Sequence, residues 1–235
     1  MPDEFDGCVA IVTGASTGIG RATALRLYAR GARVAAFARS ASALAELVAG
    51  HEERMVAVAG DVADAGAIER LFRETESRFG SCEILVNCAG MIDPKPIRDV
   101  TPDDWDRMFA VNVRGTFLAA KRALPAMVAS GLGAIVNVAS ISGVPGPEKF
   151  PGFASYNASK AAVIAFTEAL AVEVKSSGVR VNCVSPGSVD TKMWADASGG
   201  APAAMTPDEI AATILFLASR DSRPMNGQNL NVFSA

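Results

Sequence analysis

Histidine is almost missing from this chain. Its 235 residues hold one, His51, within the charged stretch His51-Glu52-Glu53-Arg54, where it reads as a solvated loop residue. A His-based catalytic triad has no other candidate. Cysteine is scarce and dispersed: Cys8, Cys82, Cys88 and Cys183 show no C-x-x-C spacing, and three lie in apolar runs. Buried free thiols in a reducing, cytoplasmic setting are expected, not disulfides or metal ligands. No His/Cys/Asp cluster suggests a metal. No apolar run approaches the roughly 20 residues of a membrane span. Long runs of one charge sign are also lacking; the net charge is −3 with both signs scattered, which argues against nucleic acid or a membrane surface as partner. The opening Met1-Pro2-Asp3-Glu4-Phe5-Asp6 is acidic and lacks a signal peptide's basic and apolar regions. There is no internal repeat and no interdomain linker.

Apolar residues, by contrast, make up half the chain, and a chain this long can bury roughly 70% of its unfolded surface. The stretch Val9-Ala10-Ile11-Val12-Thr13-Gly14-Ala15-Ser16-Thr17-Gly18-Ile19-Gly20 sets the pattern. An apolar strand meets a glycine-rich turn, and helical spacing follows in Arg21, Ala22, Ala24, Leu25, Leu27 and Tyr28. The first amides of a helix lack intrahelical acceptors and carry the positive end of its dipole, so an anion docks there. Gly14, Gly18 and Gly20 follow G-x-x-x-G-x-G, not the general dinucleotide fingerprint, and no P-loop Lys-Ser/Thr follows. A tight turn serving only helix packing is the other reading of these glycines.

Further strands are expected at Arg33–Ala38, Met55–Ala59, Glu83–Val86, within Gly133–Ser140, at Val179–Val184 and at Asn229–Phe233. Between them fall helices: one capped by Ser40 and running through Val48, one capped by Asp64 and ending at Phe79-Gly80, and one over Ser155–Lys175 with Ala162, Phe166, Ala169 and Leu170 recurring at helical spacing. Thr101-Pro102-Asp103-Asp104 opens a long helix to about Ser130, bent or broken near Pro125. Thr206-Pro207-Asp208-Glu209 is a capping box for a helix through Leu217. Short apolar strands alternating with helices predict an α/β fold: a doubly wound, Rossmann-type parallel sheet of about seven strands with helices on both faces. Residues 1–235 read as one domain, with a short substrate lid around 192–205. Its loosest part is Asp196–Ala204, so a mobile cover and modest selectivity are expected. Gly20, Asn87, Ser140 and Pro186 all follow strand stretches. This places them on the carboxyl edge of the sheet, where such folds bind ligands.

Tyr156 and Lys160 are four apart in a helical stretch and share a face. A free phenol, with a pKa near about 10, is an acid at neutral pH and a poor base. A neighbouring cation favours the phenolate and tunes it for proton transfer. The same spacing also suits an amphipathic helix with a surface lysine. Together, Thr13–Gly20, Asp61-Val62, Asn87-Cys88-Ala89-Gly90, Asn112, Ser140, Tyr156-x-x-x-Lys160 and Pro186-Gly187 with Thr191 resemble the motifs of the short-chain dehydrogenase/reductase family, single-domain type. The resemblance runs from Gly7 to about Val232. It departs at Cys88, where the family usually has a second Asn, and in a Ser140-to-Tyr156 interval longer than usual.

The resemblance implies hydride transfer between a nicotinamide cofactor and a small-molecule ketone or secondary alcohol. Tyr156 would be general acid/base, Ser140 would bond the substrate oxygen, Lys160 would lower the tyrosine pKa and hold the nicotinamide ribose, and Asn112 would hold a water linking Lys160 to solvent. A plain core hydrogen bond is the alternative for Asn112. The cofactor would also lie along Gly14, Ser16, Thr17, Gly18, Ile19, Gly20, Asn87, Ala89, Gly90, Pro186 and Gly187. Asp61-Val62 would hold the adenine, and Val189 and Thr191 the carboxamide. At the second strand end, Ala38 stands where an NAD site places an acid, and Arg39 and Ser40 follow; this predicts NADP(H), with NAD(H) possible. Expected substrate walls are Met91, Ile92, Val144, Phe150, Phe153, Ser188, Met193 and Trp194.

A 3-oxoacyl-thioester or other carbonyl reductase, an NAD-dependent alcohol, sugar or steroid dehydrogenase, an epimerase or dehydratase, and a nucleotide-sensing protein all remain open readings. A sensor would need only the nucleotide motifs. Apolar residues on more than one face of the long helix (Trp105, Met108, Val111, Val113, Phe117, Leu118, Leu124) predict a homodimer or homotetramer.

Overall fold

The computed structural model describes residues 4–147 and 149–233. Met1, Pro2 and Asp3 of the acidic start lie outside the described residues, as do Glu148 of the extended loop and Ser234 and Ala235. Seven strands form one sheet: β1 Val9–Thr13, β2 Arg33–Ala38, β3 Met55–Ala59, β4 Ile84–Asn87, β5 Gly133–Val138, β6 Val179–Pro186 and β7 Asn229–Val232. They are all parallel, in the order β3-β2-β1-β4-β5-β6-β7. Strand order reverses between β1 and β4, where Thr13 pairs with Asn87, and the crevice opens at their carboxyl ends.

The helices are α1 Gly18–Ala29, α2 Ala41–Val48, α3 Ala65–Phe79, α4 Pro102–Phe109, α5 Gly115–Ser130, α6 Ala154–Glu173, α7 Lys192–Ser198 and α8 Pro207–Ala218. Alternate strand residues face opposite layers. Ala10 and Val12 pack with Leu27, Leu44, Ile210 and Ile214 on one face. Ile11 packs with Leu71, Phe72, Ala120 and Met127 on the other. Period-2 strands buried on both faces thus account for the nearly continuous apolar runs. The capping residues act as the sequence predicts. The Oγ of Ser40 and Oδ1 of Asp64 accept from Ala43 and Gly66, and Thr101 with Asp104 and Thr206 with Glu209 form reciprocal boxes.

Three elements differ from the sequence reading. The long helix breaks at Ala110–Arg114, a π-helical turn, and not at Pro125. Pro125 lies on an exposed face, beside exposed Lys121, so the carbonyl its missing N–H leaves free meets water. The inward stripe of α6 runs through Ser159, Val163, Thr167 and Leu170, while Ala169 is exposed. A helix, α7, forms in the segment read as a loose cover, because Thr191 caps it (Trp194 N–H to Oγ1, 3.2 Å) and Gly199 takes the left-handed conformation that ends it (φ +67°). Among the described residues no helix is long and apolar enough to cross a membrane. All four cysteines are free thiols.

Candidate active site

A cleft of ≈ 870 Å³ runs along the carboxyl edge of the sheet, from the end of β2 to α7. The end beside α1 is built by backbone approach. Gly14 (φ +68°) holds a left-handed conformation, and a Cβ there would lie 2.8 Å from the Ala89 backbone. A Cβ on Gly20 would lie 2.3 Å from the Gly14 carbonyl oxygen. The turn is therefore pressed against the Asn87–Gly90 loop, which Thr13 fixes by accepting from the Cys88 and Ala89 N–H groups (3.2 and 3.1 Å). Thr17, the N-cap of α1, makes no side-chain cap bond, so the positive end of the helix is left open to the cleft. Ser16, Thr17, Gly18, Ile19 and Gly20 line this end. An uncapped helix start behind a glycine turn that no Cβ could share fits a dinucleotide's phosphates.

Ala38, Arg39 and Ser40 follow β2 on the same wall, with Arg39 exposed. Ser40 Oγ accepts from Ala43 and lies 3.2 Å from Ser42 Oγ. Asp61 and Val62 line the cleft after β3, and Asp61 Oδ1 bonds the Ala63 N–H (2.9 Å). Ala89, Gly90, Pro186, Gly187, Val189 and Thr191 also line it. Where a Cβ of Gly18 would stand, the Thr191 methyl lies 3.0 Å away, so the N-cap of α7 touches the glycine turn.

Asn87 and Asn112 lie behind the wall. Both are buried, and neither lines the cleft. Asn87 Nδ2 donates to Asn137 Oδ1 (2.9 Å), and Asn137 Nδ2 donates to Thr167 Oγ1 (2.9 Å). This chain ties β4 and β5 to α6. Asn112 sits in the π-helical turn. Its Oδ1 accepts from Met91 N–H (2.8 Å), and its Nδ2 donates to Met91 O (3.0 Å) and to Ser159 Oγ (2.9 Å). Ser159 in turn donates to the carbonyl of Tyr156 (2.8 Å). Asn112 thus joins the 90–91 loop to the helical turn that carries Tyr156.

Ser140, Tyr156 and Lys160 face the cleft together. Ser140 follows β5 in extended backbone, and its Oγ accepts from Ser142 N–H (3.1 Å). Burial pushes the Tyr156 phenol up to about 12, and the Ser140 hydroxyl beside it pulls the other way. Lys160 is buried, its Nζ donates to Val138 O (2.9 Å) and lies 5.7 Å from the Tyr156 ring centre, and burial lowers its pKa. Burial thus works against the charge of both groups. Cys88 lines the same wall as a thiol that burial raises to about 12.

Of the expected substrate walls, Met91, Ile92, Phe150, Phe153, Ser188, Met193 and Trp194 line the cleft. Val144 does not; Ile141, Met205 and Phe233 do. The sequence reading also missed Asn137 and Gly143. A Cβ on Gly143 would lie 2.6 Å from the Lys160 carbonyl carbon, so glycine is what lets that turn pack on α6. Asn137 had a signal, since it sits directly opposite Asn87 in the sheet register.

Residues 8–200 match the family model described as short chain dehydrogenase. The chain is 38% identical to 2-(R)-hydroxypropyl-CoM dehydrogenase of Xanthobacter autotrophicus, over 94% of this chain and 95% of that protein. It is 38% identical to a 3-oxoacyl-[acyl-carrier-protein] reductase of Synechocystis sp. (95% and 94% covered) and to D-threitol dehydrogenase of Mycolicibacterium smegmatis (97% and 92% covered). A glycine turn at an open helix start, a Ser–Tyr–Lys wall beyond it and a match over most of the chain agree: this protein belongs to the short-chain dehydrogenase family and is an NAD(P)-dependent oxidoreductase of CH–OH and C=O groups.

Proposed function

We propose that this chain is a single-domain, NADP(H)-dependent enzyme that interconverts a ketone and a secondary alcohol, with Tyr156 carrying the proton. The observation behind the reading is the common wall of Ser140, Tyr156 and Lys160 at one end of the cleft whose other end is the open start of α1. A nicotinamide held in this cleft would supply the hydride for the carbonyl carbon, or take it from the alcohol carbon. Tyr156 Oη gives its proton to the carbonyl oxygen in reduction and takes the hydroxyl proton in oxidation. A phenol held protonated by burial is ready for the reductive direction. Ser140 Oγ bonds the same oxygen and orients it. Lys160 fixes the cofactor ribose and its ammonium favours the phenolate when the site is charged. Asn112, through Met91 and Ser159, positions both walls, and a water beside it would connect Lys160 to solvent.

Gly14–Gly20 would hold the phosphates, Val189 and Thr191 the carboxamide, and Asp61 and Val62 the adenine. The short lid over 192–205 covers the substrate. Arg39 selects the 2′-phosphate: no acid precedes it, and its exposed guanidinium lines the cleft where that group would lie. Free thiols suit a cytoplasmic enzyme, and the exposed apolar residues of α4, α5 and α6 suit a homodimer or homotetramer.

Charge-assisted hydrogen bonds of about 1.5–3 kcal/mol give a preference of about ten- to hundredfold for NADPH over NADH in kcat/KM. Replacing both residues, Ala38→Asp with Arg39→Leu, should reverse the order by adding an acceptor for the 2′-hydroxyl and repelling the phosphate. The test is NADPH and NADH consumption with a ketone panel for the native enzyme and this variant. Equal or better use of NADH by the native enzyme would refute the role of Arg39.

A further inference from the structure

Aromatic residues are few in this chain: eleven Phe, two Tyr and two Trp. Five of them, Phe150, Phe153, Tyr156, Trp194 and Phe233, line the cleft. Four form a continuous row. The ring centres of Trp194 and Phe150 are 6.5 Å apart, those of Phe150 and Phe153 5.6 Å, and those of Phe153 and Tyr156 6.2 Å; the first and last pairs meet edge to face. The row runs from the lid helix α7 to the phenol. Phe150 keeps 47% of its surface exposed, so packing within the protein does not use up this ring, while Phe153, 7% exposed, backs the row.

Trp194 is held in place. Its Nε1–H donates to Ala201 O (2.9 Å), and the base of the lid is closed by Asp190 N–H to Met205 O (2.8 Å) and Ala204 N–H to Ser188 Oγ (3.0 Å). A fixed ring at the mouth gives the slot a shape, where a loose cover would not.

The charges at this end point the same way. Lys192 lines the cleft, but its Nζ pairs with Asp196 (2.7 Å). Lys149 donates to Ser142 O (3.0 Å) and Val144 O, and Lys95 pairs with Asp104 (2.9 Å) and Asp93 (3.4 Å). Lys192 and Lys95 are paired with carboxylates, whereas Lys149 is held by carbonyl oxygens of the 142–144 turn and keeps its charge. Arg39 lies at the opposite, nucleotide-facing end.

We infer that the substrate is an uncharged ketone or secondary alcohol bearing an aromatic or alicyclic ring next to the reacting carbon, seated along Phe153, Phe150 and Trp194. An open-chain acyl thioester would leave these ring faces unfilled. The inference rests on the assignment of Tyr156 as proton carrier, which fixes where the reacting oxygen lies.

Two measurements test it. In the first, kcat/KM is compared for acetophenone, cyclohexyl methyl ketone, butan-2-one and acetoacetyl-CoA. The ring-bearing ketones should exceed the other two by about tenfold or more, as contacts with two or three rings allow. Trp194→Ala should collapse the ratio of ring-bearing to open-chain ketone, and Trp194→Phe should restore most of it. In the second, Trp194 emission is titrated with cyclohexyl methyl ketone and oxidised cofactor, a pair that cannot react. The background is Trp105→Phe, which leaves Trp194 as the remaining indole; a saturable change is expected. Saturable binding without turnover would overturn the proton-carrier reading and leave the substrate class standing. Preference for acetoacetyl-CoA, an unchanged ratio in Trp194→Ala, or no saturable change would overturn the inference while leaving the oxidoreductase itself intact.

Discussion

Tyr156 sits between two opposed influences. Burial raises its phenol to about 12, and the Ser140 hydroxyl lowers it. A donor to the phenolate stabilises the charged form, so removing it moves the pKa further up. If Tyr156 takes the alcohol proton, the phenol must be deprotonated for oxidation, and activity rises with pH through this group. Ser140→Ala should therefore shift the rising limb of the pH–kcat/KM profile to higher pH by about one unit or more, the size of a hydrogen bond to a charged group. A pH profile for alcohol oxidation in both proteins measures it; an unmoved limb would remove Ser140 from the proton path. The pairing of Tyr156 with Lys160 was legible because four residues is one helical turn. The hydrogen bond from Lys160 to Val138 O was not, since it depends on how α6 lies across β5. His51 was half legible: it is charged-loop sequence, yet its ring meets Tyr28 edge to face at 4.7 Å.

Asn137 shows what an element demands of one residue. It is fully buried on β5 and bridges β4 to α6. Asn137→Ala would leave the Asn87 amide and the Thr167 hydroxyl buried with lost partners. The expected cost is about 2 kcal/mol or more, a fall in Tm of about 4–8 °C by calorimetry. Asn137→Asp, which keeps an acceptor for Asn87, should retain more of the stability at low pH than at neutral pH; a Tm unchanged in Asn137→Ala would show that the bridge carries no weight. Strands and caps were legible here because they depend on local chemistry: alternation buried on both faces, or Thr three residues before Asp or Glu. The π-helical turn at Ala110–Arg114 was not. It answers to the contacts that Asn112 makes with Met91 and Ser159, which lie 21 and 47 residues away. Proline was the wrong sign of a break, because its cost depends on which face it occupies.

At the scale of the molecule, the apolar residues of the long helix divide. Met108 is buried against Asn112, whereas Trp105, Phe117 and Val128 stay partly exposed, and Val172 of α6 is 74% exposed. Apolar area left on two adjacent helices suits a second copy of the chain. Light scattering at micromolar concentration should give the mass of a dimer or tetramer; a monomer would refute self-association. The alternation of strands and helices made the doubly wound sheet legible, and the strand ends marked its active edge. What the sequence could not show is depth: Asn87 and Asn112 stand one layer behind the cleft, while Val144 turns away from it.

The central claim is that Tyr156 carries the proton in a hydride-transfer reaction within this cleft. Tyr156→Phe keeps the ring, its edge contact with Phe153 and the fold, and removes only the hydroxyl. Cofactor affinity and turnover should therefore be measured side by side on the purified variant. The account predicts unchanged NADPH affinity with a loss in kcat of about a hundredfold or more, roughly 3 kcal/mol. Near-normal turnover in a correctly folded Tyr156→Phe protein would contradict it.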